Sequence, residues 1–245
     1  RLRIKGNPLI HGVIFGSASY METAGLRMMV ITGGTINGWI AGAANGTESA
    51  QGSGPLNGTT YVYVGGNARV DSNGNDRVIN KAIGGNVFGA GCGVDATHTT
   101  GSVTNGTNVV IADNAYVERG VYGGGAYAYC YEGKDANVYI TGNATIDSKR
   151  GCLNTTDSGG VFGGACLNKG GNANIYMTGG HVNGQKYNNV NYGGIYGGSN
   201  QNGTLSGNTM LKILGGTVGS ESVPASVYGG GLGENTKING NTSVT

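Results

Sequence analysis

The chain has 245 residues, with 15 Lys and Arg against 13 Asp and Glu and a net charge of +2; its basic residues do not cluster, which argues against nucleic acid or anionic lipid as a partner. Glycine supplies 52 residues and proline 3; without a G-X-Y triplet this is not collagen, and glycine at such density disfavours helix by about 1 kcal/mol per position relative to alanine. Low-complexity disorder fails as well, because valine and isoleucine keep fixed places inside recurring phrases.

In chain order, Arg1 to Ile4 reads as a strand with neither an initiator Met nor a signal peptide before it, and Lys237-Ile238-Asn239-Gly240 reads as the start of another coil. The expectation is a piece of a longer chain, whose open strand edges invite caps, further coils or end-to-end self-association. The stretch from Leu26 to Ile40 leans apolar but is broken by Gly33, Gly34, Asn37 and Gly38. It cannot span a bilayer as a helix, so no membrane insertion is expected of this segment.

Two phrases then alternate along the chain. The first is Ile14-Phe15-Gly16, Trp39-Ile40-Ala41-Gly42, Val87-Phe88-Gly89, Val121-Tyr122-Gly123, Val161-Phe162-Gly163, Ile195-Tyr196-Gly197 and Val227-Tyr228-Gly229. From Phe88 onward the steps are 34, 40, 34 and 32 residues; with Ile40 placed in the aromatic slot, the earlier steps are 25 and 48. The second phrase begins at Met29, Val62, Val109, Val138, Ile175 and Leu211, runs apolar at every other residue, turns at a Gly, Asn or Asp corner, and closes on Ile36, Val70, Val117, Ile146, Val182 or Val218. Alternation of period 2 marks strands with one buried face, and Gly33-Gly34, Gly65-Gly66, Asp113-Asn114, Gly142-Asn143, Gly179-Gly180 and Gly215-Gly216 suit corners that need a positive φ.

A unit of this size cannot close a core alone and must bury its apolar side on its neighbours. The reading is all-β: one parallel β-helix (β-solenoid) domain over 1–245, with irregular coils and longer loops in 1–85 and regular coils in 86–245. About seven coils of three short strands, stacked roughly 4.8 Å apart, make a rod on the order of 35 Å long.

The cysteines are Cys92, Cys130, Cys152 and Cys166, with no CxxC spacing, and the histidines are only His11, His98 and His181, so zinc is not expected. Cys92 and Cys166 occupy one slot two rungs apart, too far for a direct bond, and read as buried thiols. Cys130 and Cys152 flank one strand pair and are the pair that could meet. Asn45, Asn57, Asn105 and Asn202 begin Asn-Gly-Thr phrases, which match a glycosylation sequon but read here as turns.

The phrase "VYGGG" at 121–125, followed by "V-x-I-x-G-G-x-V-x-G", is similar to the repeat of adhesin-like right-handed β-helix proteins on the surface of bacteria, gut anaerobes in particular. The resemblance covers most of the chain and is strongest from Asn86 to Gly233. It implies right-handed winding and an extracellular or cell-surface location; a glycan or host surface protein is the partner expected of a contact surface there. It fixes no catalytic residue, because glycine-rich coils of this kind are shared by adhesins, stalks and polysaccharide-degrading enzymes.

Two outer columns carry candidate chemistry. Residues after the closing apolar position place Asp71, Glu118 and Asp147 on successive coils, between Asn37 and Asn183. Stacked acids repel unless a cation or base screens them, so the alternatives are a solvated face with Arg69 and Arg119 as partners, or the acidic site of a polysaccharide lyase or glycoside hydrolase with Ca2+ as its one conceivable cofactor. Carboxylates about 5–9 Å apart suit hydrolysis, yet stacking alone produces that spacing. The second column is aromatic. Tyrosine occurs 14 times against 3 Phe and 1 Trp, and Tyr63, Tyr139 and Tyr176 occupy the outward position of the second phrase, where ring faces could stack on sugars or merely serve strand propensity. Tyr127, Tyr129 and Tyr131 crowd the segment 125–136, read as a variable loop of the sort that carries specificity on a rigid stack. Phe15, Phe88, Tyr122, Phe162, Tyr196 and Tyr228 read as an inward ladder. The leading functional expectation is a non-enzymatic stalk or contact surface; the enzyme and a self-assembling filament or lattice subunit are the alternatives.

Overall fold

The computed structural model describes residues 1–17, 23–44, 55–72, 84–95, 97–152 and 157–245. Among these the chain is all β, and no helix is long and apolar enough to cross a membrane. Each coil contributes to three walls. A long wall stacks Leu2–Ile4, Arg27–Ile31, Thr60–Val64, Thr107–Ile111, Asp135–Ile140 and the first halves of Asn172–Val182 and Thr209–Val218, and ends at Thr242–Val244. A short wall stacks Leu9–His11, Thr35–Asn37, Arg69–Asp71, Tyr116–Val117 and Thr145–Ile146 on the second halves of those two longer strands. An aromatic wall stacks seven strands from Ile14–Phe15 to Ser226–Tyr228. Every pairing between coils in the three walls is parallel, so this is a parallel β-solenoid.

Register follows from what each column buries. Met29, Val62, Val109, Val138, Ile175 and Leu211 lie over one another, as do Ile36, Val70, Val117, Ile146 and Val182. Together with Ile40, Val87, Val121, Val161 and Ile195 they form one aliphatic core. A slip of one residue would turn these side chains to solvent, which is why the register holds through loops of unequal length. The corner between the long and short walls has positive φ at Gly34, Gly66, Asp113, Gly142, Gly180 and Gly216. Asp113 is tolerated there because its carboxylate accepts the Gly66 N–H and the Tyr63 hydroxyl, each at 2.8 Å.

The aromatic wall is buried on both faces from Val87–Phe88 to Gly194–Tyr196; at its last strand Tyr228, expected to face inward, is exposed. Its aliphatic face closes the main core, and its aromatic face closes a second one containing Phe88, Tyr122, Phe162, Tyr196, Trp39, Cys92, Cys152 and Cys166. Rings on successive coils stack at 5.0, 5.0 and 4.8 Å from Phe88 to Tyr196. One expected phase is corrected: Ala41, not Ile40, lies opposite Phe15 and Phe88. Ile40 faces the aliphatic core, and Trp39 fills the missing ring with edge contacts to Phe15 and Phe88 at 4.9 and 6.0 Å.

The glycine after each ring is required by close approach rather than by flexibility. A Cβ on Gly123 would lie 2.3 Å from the Gly163 carbonyl oxygen and 3.1 Å from Cβ of Ala136; Gly89 and Gly163 face the same clash one coil away. Thr60 and Thr107 cap this column by donating to the carbonyls of Gly89 and Gly123, both at 2.6 Å.

The cysteine pairing differs from expectation. Cys152 bonds Cys166, while Cys92 and Cys130 are buried thiols. Cys152 and Cys166 both point into the aromatic core, whereas Cys130 pairs with Val103 in a smaller side stack with Leu56. Burial and the nearby Asp135 push the Cys130 thiol up to about 12, which makes it inert at neutral pH. The sequon-like phrases are not uniformly turns either. Asn57 ends the strand Leu56–Asn57 and Asn105 sits in a bend, but Asn202 lies inside the strand Asn200–Leu205. Asn45 lies outside the described residues.

Candidate functional site

The long wall turns its outer face to solvent, and its side chains fall into columns set by the parallel register. One column runs Val30, Tyr63, Val110, Tyr139, Tyr176, Lys212, as the repeat spacing predicts. Tyr139 and Tyr176 stack face to face, with ring centroids 5.1 Å apart and planes 8° from parallel. Burial, first, and the neighbouring Tyr176 and Asp135 raise the Tyr139 phenol above its ordinary value.

Tyr63 does not join that stack. Its ring lies across Gly65, where a Cβ would meet Cε1 at 2.4 Å, and its hydroxyl reaches Asp113 on the next coil. Burial and the Asp113 carboxylate push its phenol up to about 12, while the Gly66 N–H and the Tyr63 hydroxyl hold Asp113 below the usual carboxylate range.

Beside the ring column runs one of amides. Tyr61, Asn108, Asn137 and Asn174 are in register; Asn137 donates to Asn108 at 3.2 Å and Asn174 to Asn137 at 3.0 Å. Ladders of this kind form when identical amides recur at the rung spacing. On the other side Thr178 donates to the Thr141 hydroxyl at 3.1 Å. Between these columns opens a groove of about 460 Å3, walled by Tyr61, Tyr139 and Tyr176, floored by Val110 and Asn108 and edged by Thr141.

The acid column is arranged differently. Asp71 takes an ion pair from Arg69 at 3.2 Å. Glu118 is only 8% exposed, less solvated than an outer position predicts; Gly85 lies against it, and its carboxylate accepts the Ser72 N–H and the Lys149 ammonium, the latter at 3.1 Å. Asp147 accepts from the Tyr116 hydroxyl and the Asn183 amide, each at 3.0 Å, and the Arg69 guanidinium lies 4.0 Å from the Tyr116 ring centroid. Arg69, expected as a screening partner, does screen. Each acid is engaged by donors on its own or an adjacent coil. Among the described residues no group of three His, Cys, Asp or Glu is placed to hold a metal ion.

Tyr127, Tyr129 and Tyr131 lie on a loop segment in which Ala126, Ala128 and Cys130 are buried in alternation with them. Tyr129 and Tyr131 stack at 5.5 Å, and Lys169 sits 5.1 Å from the Tyr129 ring. None of the three lines the groove. Tyr61, Asn108, Thr141 and Thr178 were not singled out from sequence, though Asn recurs two residues before the outward position in three consecutive coils, at Asn108, Asn137 and Asn174. Comparison with protein-family models, with curated proteins and with solved structures found no match to this chain.

Proposed function

We propose that this chain is a non-enzymatic, adhesin-like module of an extracellular or cell-surface protein, a rigid rod whose long wall is a contact surface for glycans. The observation that carries this reading is the groove on that wall. It sets flat ring faces beside rows of amide and hydroxyl groups on a rigid sheet, the combination a sugar needs for its C–H faces and its hydroxyls. Rigid presentation matters because little ordering cost is then charged against a weak contact.

The Cys152–Cys166 disulfide supports the location, since such bonds persist in oxidising compartments. The acid column offers less to an enzyme, because carboxylates held by Arg69, Lys149, Tyr116 and Asn183 have their lone pairs engaged before a substrate arrives. The test is an immobilised glycan panel probed with the folded 245-residue chain, run beside turnover assays on acidic polysaccharide. Retention on glycans without turnover is expected. Retention on none, or cleavage of the acidic substrate that Asp147→Asn abolishes, would overturn the reading.

A further inference from the structure

Two series of stacked rings in the molecule follow the rungs. Inside, the rings from Phe88 to Tyr196 are 4.8 to 5.0 Å apart; outside, Tyr139 and Tyr176 are 5.1 Å apart. The outer series stops at Val110, which pairs with Tyr139 on one side and Tyr63 on the other. A valine reaches only to its γ carbons, so the second face of Tyr139 has no ring on it. Tyr63 cannot supply one, because it is turned over Gly65 and bonded to Asp113. The groove opens at this rung, with Tyr61 as its far wall, and its volume of about 460 Å3 falls within the range of about 300–1,000 Å3 typical of small-molecule sites.

We infer that the rung at Val110 is a receptor slot for a single neutral hexopyranose ring of a glycan, seated on the open face of Tyr139 where the missing side-chain ring would lie. The inference rests on the glycan-contact reading above and adds the subsite and the ligand class. The sugar's C–H face meets the negative face of the phenol ring. Its hydroxyl rim meets groups with capacity left over. Asn108 accepts from Asn137 and donates one N–H to the Thr60 carbonyl at 3.3 Å, which leaves a second N–H and a second lone pair. Thr141 accepts from Thr178, so its own O–H is available. The lining is Tyr, Asn, Thr, Val and Ile, with no charged side chain. A uronate would enter without a cation to pair it, and burying a carboxylate unpaired is costly, so the slot selects for neutral sugars.

The test titrates the 245-residue chain with cellotetraose, mannotetraose and galactotetraose, and with tetragalacturonate and N-acetyltyrosinamide as contrasts, by calorimetry and by NMR of the tyrosine rings. At least one neutral tetrasaccharide is expected to bind and shift Tyr139. Val110→Tyr, which fills the slot with the protein's own ring in a column that already carries tyrosine, should weaken that binding tenfold or more with no loss of melting temperature. Tyr139→Ala should weaken it similarly, and Lys212→Ala should not. Neutral-sugar binding that survives Val110→Tyr but falls on Tyr129→Ala overturns the slot and leaves the glycan reading standing. Binding of tetragalacturonate or N-acetyltyrosinamide with the neutral sugars silent overturns the ligand class. Silence of every glycan overturns both.

Discussion

The two stacks of rings that run along the rungs share a spacing and differ in completeness. The inner ladder is continuous: where Ala41 leaves its slot without a ring, Trp39 from the same coil fills the space. The outer column tolerates valine at Val30 and Val110, with nothing drawn in to replace the ring. The contrast is energetic. A vacancy in the interior is an unfilled cavity, and the lining loses dispersion contacts that water cannot restore. On the surface, water or a ligand occupies the vacancy, so folding exerts no pressure to close it. A gap in a surface ladder can therefore serve binding in a way that a gap in a buried ladder cannot.

The sharpest way to break this comparison is to remove one ring from each stack. Phe162→Ala should destabilise by about 3–5 kcal/mol, since Phe162 is fully buried between Tyr122 and Tyr196. Tyr176→Ala should cost about 1 kcal/mol or less, the scale of an exposed cross-strand pair. Urea unfolding of both variants measures the difference; equal losses would mean that the outer stack is structural. The glycines extend the same logic. Gly123→Ala must push a methyl group into the Gly163 carbonyl and is expected to cost about 3 kcal/mol, the upper range for overpacking. At Gly230 a Cβ would meet nothing within 4 Å, and Gly230→Ala should be close to neutral.

Next in size is the disulfide. Cys152 and Cys166 are 14 residues apart, and closing a loop of that length is worth about 3 kcal/mol in chain entropy. Cys166→Ala, or reduction of the native protein, should lower the urea midpoint accordingly. Alkylation under native conditions should leave Cys130 unmodified, because its thiol is buried and its pKa is raised. Rapid labelling of Cys130, or an unchanged midpoint on reduction, would contradict the pairing.

The legibility of the sequence divides along the same line between buried and exposed. Columns such as Val109, Val138 and Ile175 could be read because burial admits few residue types, and the F/Y-G phrase could be read because ring and close approach each allow little else. The phase at Trp39 is not legible because the ring there lies two residues before its slot, which Ala41 holds, so the phrase carries no Phe or Tyr to mark the register. Cys152–Cys166 was missed since the disulfide joins a connecting segment to the second core, and the second core has no periodicity that extends through that segment. The groove was half legible: Tyr139 and Tyr176 announce themselves as rings in one slot, but the vacancy between them and Tyr61 is a property of a small residue. Val110 in sequence is one more strand valine.

The smallest effect separates Tyr63 from its column mates. Its phenol is raised from 10.0 to about 12, so the neutral phenol is favoured in the fold; the associated stabilisation is full below pH 10 and is lost as pH rises through about 12. Asp113 is held low, so its contribution is full above the ordinary carboxylate value of about 4 and is lost as pH falls below it. Asp113→Asn should therefore bring the Tyr63 titration, followed by phenolate absorbance, part of the way back toward 10, with burial keeping the remainder. The same substitution weakens the tie that holds the Tyr63 ring over Gly65. Set free to rotate, that ring can swing toward Val110 and compete for the rung next to Tyr139, so Asp113→Asn should reduce hexose affinity a few-fold without any residue of the groove being changed. An unshifted titration would mean that the Tyr63–Asp113 bond does not hold the ring aside. A shifted titration with unchanged affinity would mean that the slot does not depend on where Tyr63 points.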